Sequence, residues 1–121
     1  MSQKILLVDD DQDFALVLTT RLEANGYEVS VAHNGKTGMF KFENEKPDLI
    51  VVDLVMPEMD GYTMLKELRR NNLLGNTPVI VLTAREGLKD LLAMEGVRDY
   101  LVKPFGTEEL LDRIRWNLKA K

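Results

Sequence analysis

Four acidic residues, Asp9, Asp10, Asp11 and Asp13, fall within five positions directly behind the apolar run Ile5-Leu6-Leu7-Val8. Three more polar residues end apolar runs of their own. Asp53 follows Leu49-Ile50-Val51-Val52, Thr83 follows Pro78-Val79-Ile80-Val81-Leu82, and Lys103 follows Tyr100-Leu101-Val102. Carboxylates held about 4–5 Å apart repel by roughly 3–4 kcal/mol per pair at an effective dielectric of 20, and a proton or a cation must relieve that. Oxygen ligands without His or Cys favour a hard ion, Mg2+ or Mn2+, and Mg2+ keeps waters and shares its remaining positions with a phosphate. A Lys supplies a movable positive charge for a phosphoryl oxygen, and a Thr hydroxyl can donate to another. Together these groups can carry out phosphoryl transfer, which is mostly positioning and charge neutralisation. Asp53 can itself act as the nucleophile, which makes an aspartyl-phosphate a chemically sensible product.

Taken singly, each residue has a plainer reading. The Asp9–Asp13 cluster suits a solvated helix start, and Asp53 a turn. Thr83 suits a cap or strand position, Lys103 a surface charge, and Tyr100 a half-buried strand aromatic. An EF-hand is excluded: Asp9, Asp11 and Asp13 have its first spacings, but Phe14 stands where Gly is needed and Thr20 where the closing Glu belongs. His33 has no companion His or Cys and reads as a surface loop residue. Met39, Met64 and Met94 read as core filler. Trp116 falls off the Leu110–Ile114–Leu118 face, which leaves it to rim packing or to a partner surface.

The plain readings fail jointly if one sheet edge gathers all the site residues, and the element pattern predicts that edge. The apolar runs, together with Glu28-Val29-Ser30-Val31-Ala32, are short, rich in β-branched residues and mostly apolar on both faces, as in parallel strands covered from both sides. Helical stretches lie between them. Phe14, Val17, Leu18 and Leu22 recur at helical spacing before an Asn25-Gly26 stop. Gly35 to Glu45 forms a second helix with Met39 and Phe42 inward. Asp60 is a suitable N-cap for a third, which carries Leu65 and Leu68. Glu86 to Glu95 is a fourth, and Leu110, Ile114 and Leu118 align on a fifth. Five β-α units in strict alternation imply an α/β fold with a five-stranded parallel sheet and helices on both faces. Ligands of such sheets sit beyond the carboxyl ends of the strands, where Asp9-Asp10, Asp53, Thr83 and Lys103 fall.

The remaining composition bounds the answer. The 121 residues suit one domain spanning 1–121, able to bury about two-thirds of its surface. With no Cys there is no disulfide framework or thiolate metal site. No signal peptide opens the chain, and no apolar run approaches the roughly eighteen residues of a membrane span, so a cytoplasmic protein without membrane contact is expected. A net charge of −4 argues against non-specific nucleic-acid binding.

The stretches Val8-Asp9-Asp10-Asp11, Asp53-Leu54-Val55-Met56-Pro57-Glu58-Met59-Asp60-Gly61, Leu82-Thr83-Ala84 and Tyr100-Leu101-Val102-Lys103-Pro104-Phe105 occur in this order on the predicted strand ends. In this the chain resembles, over its whole length, the receiver domain of two-component response regulators. The resemblance implies a flavodoxin-like 2-1-3-4-5 strand order and a phosphorelay role in signal transduction. The domain would accept a phosphoryl group from a histidine kinase or phosphotransfer protein and catalyse only its own phosphorylation and dephosphorylation. Carried over by position, Asp53 is the phosphoacceptor. Asp10 binds Mg2+ directly, Asp9 mainly through water, and the Val55 carbonyl is a further ligand. Thr83 bonds the phosphoryl group, Lys103 pairs with it, and Tyr100 follows Thr83 as the switch aromatic. The Lys103–Pro104 bond is expected to be cis. The output face, and that of a homodimer, is expected where the fourth helix, fifth strand and fifth helix meet. No direct nucleic-acid binding is implied.

Two departures refine this. Thr83 to Lys103 spans twenty positions, shorter than is usual in the family, and Gly87 and Gly96 bracket the fourth helix, which is expected to be short, shifted or mobile. Val55 and Arg85 occupy positions that tune phosphoryl lifetime. Val55 cannot orient an attacking water and Arg85 can cover the acyl phosphate, so slow self-dephosphorylation is expected. The alternatives are an aspartate-nucleophile phosphohydrolase, suggested by Asp9-x-Asp11, and a pseudo-receiver that only binds other proteins. An FMN carrier would find its phosphate repelled by the acidic loop. The end at Lys119-Ala120-Lys121 fits either a stand-alone receiver or one from a longer regulator.

Overall fold

The computed structural model describes residues 2–53, 60–84, 87, 93, 97 and 99–119. Along the chain run β1 (Lys4–Val8), α1 (Gln12–Ala24), β2 (Glu28–Ala32), α2 (Gly35–Glu45), β3 (Leu49–Asp53), α3 (Asp60–Arg70), β4 (Val79–Thr83), β5 (Asp99–Val102) and α4 (Thr107–Lys119). The helix expected over 86–95 lies, but for Gly87 and Ala93, outside the described residues, as does the capping side chain of Asp60.

All four strand pairings are parallel, and the order is β2-β1-β3-β4-β5. Register sets the site. Val8 pairs with Ala32 and Val52, Asp53 with Leu82, and Thr83 with Val102. Asp9, Asp53, Thr83 and Lys103 therefore stand at the same carboxyl edge, each on or just past the last residue of its strand.

The two-residue repeat of a strand sends alternate side chains to opposite faces, and both faces are covered. Leu6, Val8, Ile50, Val52, Val79 and Val81 pack with Phe42 of α2 and with Met64, Leu65 and Leu68 of α3. Ile5, Leu7, Leu49, Val51, Ile80 and Leu82 pack with α1 and α4 through residues such as Leu18, Leu22, Leu110 and Ile114. Burying one such side chain stabilises the fold by about 1.5–3 kcal/mol, which is why the central β3 is buried throughout.

One helical face differs from expectation. Val17 is 62% exposed, and α1 instead buries Ala15, Leu18 and Leu22. At 3.6 residues per turn Val17 sits about 130° from the centre of that stripe, nearly opposite the small Ala15. Trp116 is exposed, off the buried face of α4. The helix ends follow their local chemistry. Asp11 caps α1, accepting from the Phe14 N–H at 3.0 Å, and Asn34 caps α2, accepting from the Thr37 N–H at 2.8 Å. Gly26 closes α1 at φ +91, a conformation that only Gly adopts freely. No helix among the described residues is long and apolar enough to cross a membrane.

Candidate functional site

Asp53 ends β3 with its side chain 2% exposed, and Lys103 Nζ donates to its Oδ2 at 2.6 Å. A nearly dry carboxylate needs such a counter-charge, because an unpaired buried charge is strongly unfavourable. Lys103 is the first residue past β5, where its backbone N–H donates to the Thr83 carbonyl at 2.7 Å and ties the ends of β4 and β5 together. The Lys103–Pro104 bond is cis. Thr83 is buried at the end of β4, and Tyr100 is half-buried on β5 against the core.

Asp9 is fully buried one residue past β1. Its N–H donates to the Ala32 carbonyl at 2.9 Å, and its Oδ1 accepts from the Asp11 N–H at 2.8 Å. His33 Nδ1 lies 2.9 Å from the Asp9 carbonyl oxygen. Only a protonated Nδ1 can donate there, which assigns the proton to that nitrogen. The other carboxylate oxygen of Asp9, Oδ2, is buried without a hydrogen-bond partner among the described residues. Burial raises the pKa of Asp9 from 3.8 to about 7; the Asp11 N–H opposes this and the nearby charge of Asp53 adds to it.

Against this geometry, the family model of the response regulator receiver domain matches residues 5–115. The chain belongs to that family. It is 41% identical over 119 residues to "Probable transcriptional regulator ycf27" of Galdieria sulphuraria, covering 97% of the chain and 46% of the relative. It is 40% identical over 117 residues to "Alkaline phosphatase synthesis transcriptional regulatory protein PhoP" of Bacillus subtilis, covering 95% of the chain and 48% of the relative. The receiver domain of Francisella response regulator 1452 superposes with a TM-score of 0.87 at 38% identity, over 98% of both chains. The chain spans about half the length of the curated relatives it matches. It is thus a response regulator receiver domain, the module of two-component systems.

In this receiver domain the edge brings Asp9, Asp53 and Lys103 into mutual electrostatic contact. Asp10 is exposed beside Asp9, and Asp13 is exposed in the first turn of α1. Val55 and Arg85 lie outside the described residues. Among the described residues no three Asp, Glu, His or Cys side chains are gathered closely enough to hold a metal ion. The buried pair nevertheless fits a hard divalent cation that keeps most of its waters: both groups are carboxyls, and Oδ2 of Asp9 accepts from no donor among the described residues. Sequence reasoning missed two contributors. Asp11 is a cap and a brace for Asp9, a role that its place three residues before Phe14 could have signalled. Phe14 lies under the Lys103 ammonium, with its ring centroid 5.1 Å from Nζ; no local pattern signals that.

Proposed function

We propose that this receiver domain takes a phosphoryl group from a partner's phosphohistidine onto Asp53. The observation that carries the reading is the 2.6 Å Lys103–Asp53 ion pair beside the buried Asp9, whose Oδ2 accepts from no donor among the described residues. A carboxylate oxygen of Asp53 attacks phosphorus as the phosphorus–nitrogen bond breaks, and the imidazole leaves with its electron pair and takes up a proton. Lys103 exchanges its carboxylate partner for a phosphoryl oxygen, and the Thr83 hydroxyl donates to another. Asp9, Asp10, Asp53 and the Val55 carbonyl would hold Mg2+, which when bound supplies charge neutralisation at the phosphoryl oxygens. Asp9 holds one ligand oxygen in place through the Asp11 amide. The product is a switch: Thr83 moves to the phosphoryl group, Tyr100 follows, and the face around β5 and α4 engages an output domain or a second copy.

The test is incubation with Mg2+ and acetyl phosphate, followed by intact mass and peptide mapping. One phosphoryl group on Asp53, absent in Asp53→Asn and in Mg2+-free buffer, is the expected result. Labelling that persists in Asp53→Asn would overturn the assignment, and sustained turnover of a small phosphate ester would favour a phosphohydrolase.

A further inference from the structure

The ion pair at the sheet edge depends on where a flexible Lys side chain rests. A Lys in solvent samples many rotamers, and one 31% exposed is not confined by burial alone. Lys103 has a second contact besides Asp53: Nζ stands 5.1 Å from the Phe14 ring centroid, within the roughly 6 Å at which a cation is drawn to a ring face. The ring is itself anchored. It is partly buried against the apolar cluster that α1 and α4 form on one face of the sheet, and its backbone N–H donates to Asp11 Oδ1 at 3.0 Å. Asp11 in turn donates its own N–H to Asp9 Oδ1 at 2.8 Å. One corner, between β1 and α1, thus fixes both the buried carboxyl and the aromatic floor beneath the ammonium.

The other such pair among the described residues, Lys66 over Tyr62 at 5.7 Å, joins neighbouring turns of α3. The Phe14–Lys103 pair instead joins opposite ends of the chain at the site. We infer that Phe14 is a positioning residue, whose ring face holds the Lys103 ammonium in line with Asp53 before a phosphoryl donor arrives. The effect on rate rests on the phosphoryl-transfer reading above; the effect on Lys103 does not.

The test compares the parent chain with Phe14→Leu, which keeps an apolar side chain of similar size but removes the π face, and with Phe14→Tyr, which restores it. In the parent, NMR of the Lys103 side chain should show its Cε and Nζ protons shifted upfield by the ring. In Phe14→Leu those resonances should move toward ordinary Lys positions, and labelling by acetyl phosphate with Mg2+ should slow by about two- to thirty-fold, the range that a cation–π contact spans. Mg2+ affinity measured by calorimetry should stay within about twofold. Phe14→Tyr should restore both resonance and rate. The inference is overturned if the Lys103 resonances do not move in Phe14→Leu, if labelling proceeds at the parent rate, if Phe14→Tyr fails to rescue, or if Mg2+ affinity falls in step with the rate. Should the parent itself take no label, the assignment of Asp53 as acceptor falls, while the Lys103 resonances still decide the role of Phe14.

Discussion

Asp53 faces charge of both signs among the described residues, the Lys103 ammonium at 2.6 Å and the buried carboxyl of Asp9. Removing the positive one leaves a nearly dry carboxylate without its ion pair. Lys103→Met is expected to destabilise the fold by about 2 kcal/mol, less than for a fully buried pair because the Lys side chain reaches solvent; urea denaturation checks this. The negative neighbour makes stability depend on pH. The folded chain holds the Asp9 proton up to about pH 7, whereas the unfolded chain releases it near its ordinary value of 3.8. The stability from this proton is complete below the lower value and is lost as pH rises through the upper one. Without divalent ions, the urea midpoint should therefore fall between about pH 5 and pH 7.5, with a loss on the order of 2 kcal/mol. Asp9→Asn should flatten that decline. An equal decline in Asp9→Asn would show that other groups cause it.

Each helix packs through a few positions where size matters more than polarity. Gly38 in α2 is one: a Cβ there would lie 2.6 Å from Met64 Sδ and 3.2 Å from Val8 Cγ2. The Met tip can swing aside, but Val8 is held in β1 between two paired strands. Gly38→Ala gains about 1 kcal/mol of helix propensity and loses about 1–3 kcal/mol to overpacking. The net expectation is a destabilisation of about 1 kcal/mol, read from the thermal midpoint; a stabilised variant would mean that α2 can slide off β1. The caps belong to this scale as well. Asn34→Ala should weaken α2 by about 1 kcal/mol, visible as faster amide exchange in its first turn while the core of the sheet is unaffected.

Across the whole molecule, protection should grade outward from the centre of the sheet. β3 is buried along its full length, while β2 is an edge strand with exposed or half-buried residues over most of its length. Amide exchange should be slowest in β3 and its neighbours β1 and β4, and faster in β2 and β5; uniform protection across the five strands would contradict this. The strands were legible because a parallel sheet buried on both faces demands continuous apolar runs, and a polar residue that ends such a run is conspicuous at Asp53, Thr83 and Lys103. The 2-1-3-4-5 order was legible only through the family resemblance, since no local period encodes which strand lies beside which. The sequence by itself thus determined the elements, the edge on which the polar residues fall and the chemistry their types allow. Tertiary structure alone decided which member of the acidic run is buried. It also turned Val17 outward and laid the Phe14 ring under Lys103. Those outcomes depend on how a helix is rotated on the sheet and on which side chains meet from distant parts of the chain, and packing fixes both only once the layers close.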